Sequence, residues 1–152
     1  MSAAVKPAAQ VVHDWLLDPS LAPQTAGDRL APLYEAAARG ELALPFCAGC
    51  AQPLDLEQEV CDSCGSAECG WRTVELHGTV HSATLMHRRE PGLVRAQRPY
   101  PIVDVELSSG HRLVMTTALP ADTAPTIGTV VHIGFRRLGD IAIPAIDILE
   151  DE

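Results

Sequence analysis

The sequence predicts a small mixed protein: an N-terminal helix, a four-cysteine zinc ribbon and a five-stranded antiparallel barrel, in that order along 152 residues. Three observations carry this. One helical pattern occupies residues 25–43; all five cysteines fall between Cys47 and Cys69; and everything after Trp71 is rich in Val, Ile and Thr with turn residues at short intervals. The length suits one domain, or one domain with a small appendage. With 47% apolar and 20% charged residues, a soluble folded chain is expected and wholesale disorder is not.

Residues 1–24 are expected to be an N-terminal tail, Ala-rich and broken by proline, with one apolar knot at Val11, Val12, Trp15, Leu16 and Leu17. Asp18-Pro19 and Ala22-Pro23 end that knot. Trp15 then has two roles open to it, docking on a partner or covering its own domain. His13 and Asp14 interrupt the N-terminus before a secretory signal's apolar stretch could form, and no run reaches the ~18 residues of a membrane span. A cytoplasmic protein with no membrane partner is expected, where clustered cysteines favour metal or redox chemistry over disulfides.

Within residues 25–71, the helix-plus-ribbon unit, Pro32 lacks an amide hydrogen and so belongs in a first helical turn. A helix is therefore predicted from about Pro32 to Gly40, with Leu33, Ala36 and Ala37 on its apolar face and Tyr34 beside them. It is too short to make a core and must lean on a neighbour. The cysteines follow as Cys47-x2-Cys50, ten residues, Cys61-x2-Cys64, then Cys69. Two such knuckles place four thiolates around one tetrahedral zinc ion, and Gly49 and Gly65 permit the tight turns. A redox pair would need one CxxC opening a helix after a strand, which is not the pattern here. Iron is chemically compatible with the same four sulfurs. Cys69, beyond the second knuckle, is predicted to be a filler or a loop thiol, and Trp71 to pack where ribbon meets barrel.

Residues 72–149 are assigned to the barrel. VELHGTVHSATLMHR alternates loosely around Gly78; YPIVDVELSSGHRLVMTTAL is two strands joined at Ser108-Ser109-Gly110; TVVHIGFRRLGDIAIPAIDIL is two more joined at Leu138-Gly139-Asp140. Closure of these five would leave few open edges, and Pro144 belongs at an edge or bulge because it cannot donate into a ladder. Residues 150–152 form an acidic C-terminal tail.

The net charge is −9, which disfavours a general nucleic-acid binder, yet residues 72–98 hold five arginines against two glutamates. The loop HRREPGLVRAQRPYPIV offers Arg88, Arg89, Arg95 and Arg98 with Tyr100 as a site for phosphates, a ligand or an acidic partner. Nothing in the barrel assembles catalytic machinery. The histidines show no HxH, HxxxH or HExxH spacing, Ser82, Ser108 and Ser109 lack a nucleophile elbow, and Asp104 with Glu106 has the look of a solvated strand face. On this chemistry the chain is a binding or scaffolding module.

The order of segments resembles one family. A helix ending in "AAARGELALPFC", the ribbon "CAGC…CDSCG…W", then "GTVHSATLMHR", "RPYPIVDVELSSGHRLV" and "IGTVVHIGF" is similar to the DUF35 family over about residues 30–148. The resemblance implies a rubredoxin-like zinc ribbon followed by an OB-fold, in an acyl-CoA-associated companion of thiolase-superfamily enzymes: thiolases, steroid side-chain aldolases related to lipid-transfer-protein thiolases, or acyltransferases. Cys47, Cys50, Cys61 and Cys64 match the family's ribbon ligands, Gly78 and Ser82 its "GTVYS" strand, Pro99 and Tyr100 its "PY", and Gly128 the glycine before its fourth strand. His81 replaces a frequent aromatic, and Ala51 replaces a glycine after the first knuckle. The implied partner is a thiolase-like or aldolase subunit that supplies the catalytic groups, in a hetero-oligomer of two plus two, with acyl-CoA at or near the interface and a MaoC-like hydratase as a second partner. The chain itself is then not catalytic alone. Alternatives are a stand-alone acyl-CoA binding protein and a single-stranded nucleic-acid module, the latter disfavoured because the barrel offers only Tyr100 and Phe135 for stacking.

Overall fold

The computed structural model describes residues 11–147, so the first ten residues of the expected tail and the acidic 150–152 lie outside the described residues. Helix α1 runs Ala31–Ala38, with proline in its first turn as its missing N–H requires. The Asp28 carboxylate accepts the Leu30 amide at 2.8 Å just before it. Gly40, at φ 74°, ends it: its N–H bonds Ala37 O at 3.0 Å and the Glu41 N–H returns to Ala36 O at 3.0 Å, a Schellman closure. The buried face is Leu33, Ala36 and Ala37, as the spacing predicts, and it packs on two strands, β2 and β8, defined below.

Two strands make the ribbon sheet, β2 (Leu42–Cys47) and β3 (Cys69–Val74), antiparallel with Leu42 opposite Val74 and Cys47 opposite Cys69. β3 therefore continues past Trp71, the residue at which the ribbon unit was expected to end. Almost all of β2 is buried, because it lies under α1 and against the barrel; Leu42 and Leu44 belong to the barrel's own core cluster.

Five strands fall in the segments expected to be extended, β4 (His77–Met86), β5 (Tyr100–Leu107), β6 (Arg112–Met115), β7 (Val130–Leu138) and β8 (Ile141–Asp147), within a sheet of six. In β5 the alternation is clean, with Pro101, Val103, Val105 and Leu107 inward. β4 alternates loosely because a bulge at His81, between Val80 and Ser82, changes its register against β5. Gly78 is fixed by contact: a Cβ there would lie 2.6 Å from Glu106 O and 2.7 Å from Val105 Cγ1. Phe135, Ile133, Val131, Val103, Val105 and Ile146 fill the interior.

Two expectations are corrected. The sheet is neither purely antiparallel nor continuous around the barrel. Its order is β1-β7-β4-β5-β6, with β8 on the other edge of β7, and β1 (Val11–His13) runs parallel to β7. Among the described residues β6 and β8 are joined by no ladder; beyond β6, Thr117 forms a parallel bridge to Ile146, with Ala118 N–H to Ile146 O at 2.7 Å and Ile146 N–H to Thr116 O at 2.9 Å. Pro144 sits opposite Phe135 in β8, on a strand whose only ladder among the described residues is to β7, which suits a residue with no N–H. The segment expected as a tail is, from Val11 on, part of this lobe. Trp15 Nε1 donates to Thr117 O at 2.8 Å, and Leu16 is 5% exposed, so the arm covers its own domain. Among the described residues no helix is long and apolar enough to cross a membrane.

Candidate metal centre and its surroundings

The two knuckles meet. The sulfurs of Cys47, Cys50, Cys61 and Cys64 all lie within 4.8 Å of one another, with Cys47 Sγ 3.4 Å from Cys64 Sγ and Cys50 Sγ 3.6 Å from Cys61 Sγ. Four thiolates on one tetrahedral zinc stand about 3.8 Å apart for Zn–S bonds of about 2.3 Å, so the donor set fits such an ion with small shifts. Cys47 and Cys61 are buried beside Leu54, and Cys50 and Cys64 face outward. Each knuckle closes on itself: Ala51 N–H bonds Cys47 O at 2.9 Å, and Gly65 N–H bonds Cys61 O at 2.9 Å. A Cβ at Gly49 would meet Cys64 Sγ at 3.4 Å, an ordinary contact, so space alone does not demand glycine there. Ala51 takes φ 63°, the left-handed conformation for which glycine is suited.

The thiols do not ionise alike. Backbone amides of Cys50 and then Gly49 aimed at Cys47 Sγ, together with the sulfurs nearby, hold that thiol down at about 6 against the cost of its burial. At Cys50 the Gln52 amide favours the thiolate, but the Cys61 thiol, burial and the other sulfurs outweigh it and push it up to about 12. Four thiolates are stable together only around a cation, and metal loading must release protons. All four donors come from the chain, which leaves no open coordination position and makes a metal here structural. Cys69 stands across from Cys47 in the β2–β3 pairing, exposed and outside the four-sulfur group.

The ribbon is bolted to the barrel through one histidine. His111, in the β5–β6 turn and 4% exposed, shares hydrogen bonds through Nε2 with Pro45 O at 2.8 Å and through Nδ1 with Ser109 Oγ at 2.7 Å. Since Pro45 O only accepts, Nε2 carries the proton and Nδ1 accepts from the serine. Phe46 meets the His111 ring edge-on at 4.8 Å, and the Arg72 guanidinium lies 3.8 Å above the Phe46 ring. Burial pulls His111 below its ordinary value, against the Pro45 hydrogen bond. Trp71, opposite Pro45 and packed on the core cluster, completes this junction.

The basic loop does not gather its arginines on one point. Arg88 pairs with Glu90, Arg89 donates to Gln97 O, and Arg98 pairs with Asp122 at 3.0 Å. Arg95 holds the N-terminal arm, donating to Leu17 O at 2.8 Å and Asp14 O at 3.2 Å. Tyr100 opens β5 opposite Met86, half-buried. A second buried group carried no sequence signal: Arg136 Nη1 donates to Asp14 Oδ1 at 2.6 Å, 122 positions apart, with Arg136 and Asp14 each 6% exposed. Burial lowers the Arg136 value, and Asp14 opposes that shift.

Residues 71–136 match the family described as the ChsH2 C-terminal OB-fold domain. No curated protein matches the chain. Among solved structures, a chain of the Ltp2-ChsH2(DUF35) aldolase superposes with a TM-score of 0.65 at 26% identity, covering 77% of this chain and 91% of that one. A DUF35-family protein of unknown function from Sulfolobus solfataricus superposes at 0.51 and 11% identity, covering 85% of this chain and 87% of that one, a likeness of fold.

Proposed function

We infer, from the chain's membership of the DUF35 family and its ChsH2-type OB-fold, that it is the non-catalytic companion subunit of a thiolase-like aldolase. One observation carries the inference: the chain covers 91% of a chain of the Ltp2-ChsH2(DUF35) aldolase at 26% identity. The chemistry of this chain agrees with it. The four-sulfur group has no coordination position to spare for a substrate, and the buried histidine serves as a bolt between ribbon and barrel. The partner supplies the reacting groups for retro-aldol C–C cleavage, and this subunit shapes the interface or the acyl-CoA entrance.

In this reading zinc occupies Cys47, Cys50, Cys61 and Cys64 and keeps the ribbon folded for assembly. The assembly is a hetero-oligomer of two plus two, since a two-fold enzyme presents each companion site twice. It is cytoplasmic, and a MaoC-like hydratase is the second partner. Of the basic loop, Arg88 and Arg89 are the arginines to meet CoA phosphate or the partner, with Tyr100 at the base of the loop. Arg88 is 83% exposed at the side chain and holds only a near neighbour, whereas Arg95 is committed to the arm. The test is affinity capture of the full metal-loaded chain from native cells, followed by C–C cleavage of an acyl-CoA by the captured assembly. A thiolase-like subunit that is active only with this chain present supports the reading; turnover of the thioester by this chain alone overturns it. Arg88→Ala/Arg89→Ala should weaken assembly or raise the apparent KM for acyl-CoA, and no change in either removes the loop from the assignment.

A further inference from the structure

The outer face of the barrel gathers metal-ligating side chains from three neighbouring strands. His77 in β4 lies directly opposite His132 in β7, and His132 lies directly opposite Asp147 in β8, so the three form one row across the sheet. Direct partners share a face, and this face is the outer one, since Gly78, Val131, Ile133 and Ile146 beside them are buried. The Ile133 N–H donates to Leu76 O and the Val80 N–H to Thr129 O, each at 2.9 Å. The His77–His132 pair between those bonds is therefore a non-hydrogen-bonded one, with Cα atoms about 4.5 Å apart and side chains closest together.

We propose that His77, His132 and Asp147 form a second metal site, which binds one divalent cation of the zinc class through two imidazoles and a carboxylate. Two nitrogens and an oxygen suit zinc at about 2.0–2.2 Å, and three protein ligands leave a fourth position open to water. Glu75 completes the set. Its Oε2 lies 3.4 Å from His77 Nε2, and a carboxylate on one ring nitrogen fixes the tautomer that leaves the other, Nδ1, to bind metal. Among the described residues only the four sulfurs already converge, so here the cation must draw exposed side chains together; it binds more weakly than in the ribbon and loads second. Exposed side chains change rotamer within nanoseconds, and nothing bars that rearrangement.

The test uses the full chain already holding one zinc in the ribbon, titrated with Zn2+ while calorimetry reads the heat and NMR follows the histidine ring resonances. One further zinc per chain should bind, shifting the His77 and His132 rings together and leaving those of His81 and His87 in place. His77→Ala, His132→Ala and Asp147→Asn should each weaken that binding about tenfold or more, with the ribbon zinc and the amide spectrum retained. His81→Ala/His87→Ala should bind as the native chain does. His77 and His132 signals unmoved by a tenfold excess of zinc overturn the proposal. So does a single histidine variant at either position that binds as the native chain does, or a second zinc taken up at one per two chains, which would mean that it bridges molecules.

Discussion

Asp14→Ala is expected to destabilise the protein by about 4 kcal/mol, because it strands a buried cation. The Asp14 carboxylate accepts from Arg136 Nη1 at 2.6 Å and from the Leu16 amide at 2.8 Å, and it fixes the arm that adds β1 to the sheet. Breaking a buried pair by removing one partner costs about 3–5 kcal/mol, and the orphaned Leu16 amide adds about 1 kcal/mol more unless water reaches it. For a chain of this size that corresponds to a fall in Tm of roughly 8–16 °C. Because the cost is mostly that of an uncompensated charge, removing both charges should restore most of it. Asp14→Leu/Arg136→Met, close in volume and apolar, should lie within about 2 kcal/mol of the native protein. Urea unfolding of the two single variants and the double variant, followed by circular dichroism at fixed metal loading, gives the coupling energy. A loss below about 1 kcal/mol for Asp14→Ala, or a double variant as unstable as the sum of its singles, would show that the pair does not hold the arm as described.

Cys61→Ser should abolish metal binding, whereas Cys69→Ser should keep one metal per chain, measured by elemental analysis of both purified variants; equal loss in both would place Cys69 among the ligands. Ala51→Gly should stabilise the ribbon by about 1 kcal/mol, since the φ of 63° strains an alanine and not a glycine; chelator competition and thermal unfolding read it out, and a destabilised variant would mean the strain is not there. His111 has its folded value lowered from 6.5 by burial, so the folded chain binds fewer protons than the unfolded one just below that pH. Its contribution is complete above pH 6.5 and is lost as pH falls from there towards the folded value. Urea midpoints of native protein and His111→Gln between pH 8 and pH 5 should therefore converge as the pH drops; a difference independent of pH would deny that His111 is held neutral.

The parts of this protein legible in its sequence are those set by local chemistry. Two CxxC knuckles bring their own turns, Pro32 and Gly40 bracket the helix, and the inward alternation of β5 and β6 is a matter of neighbouring residues. The resemblance carried by the segment order reached further, over about residues 30–148, and the match of residues 71–136 to the ChsH2 C-terminal OB-fold domain agrees with it. Tertiary structure decided the rest. That Val11–His13 is a strand depends on an open edge of β7, more than a hundred positions away, and no periodicity in three residues announces it. Arg95 and Arg136 are indistinguishable from surface arginines until the arm returns its carbonyls to one and Asp14 to the other. His111 became the joint between the lobes only because the β5–β6 turn lands beside Pro45. Whether β6 and β8 meet along their length is likewise a three-dimensional outcome, since two edge strands with suitable patterns still need converging directions to form a ladder.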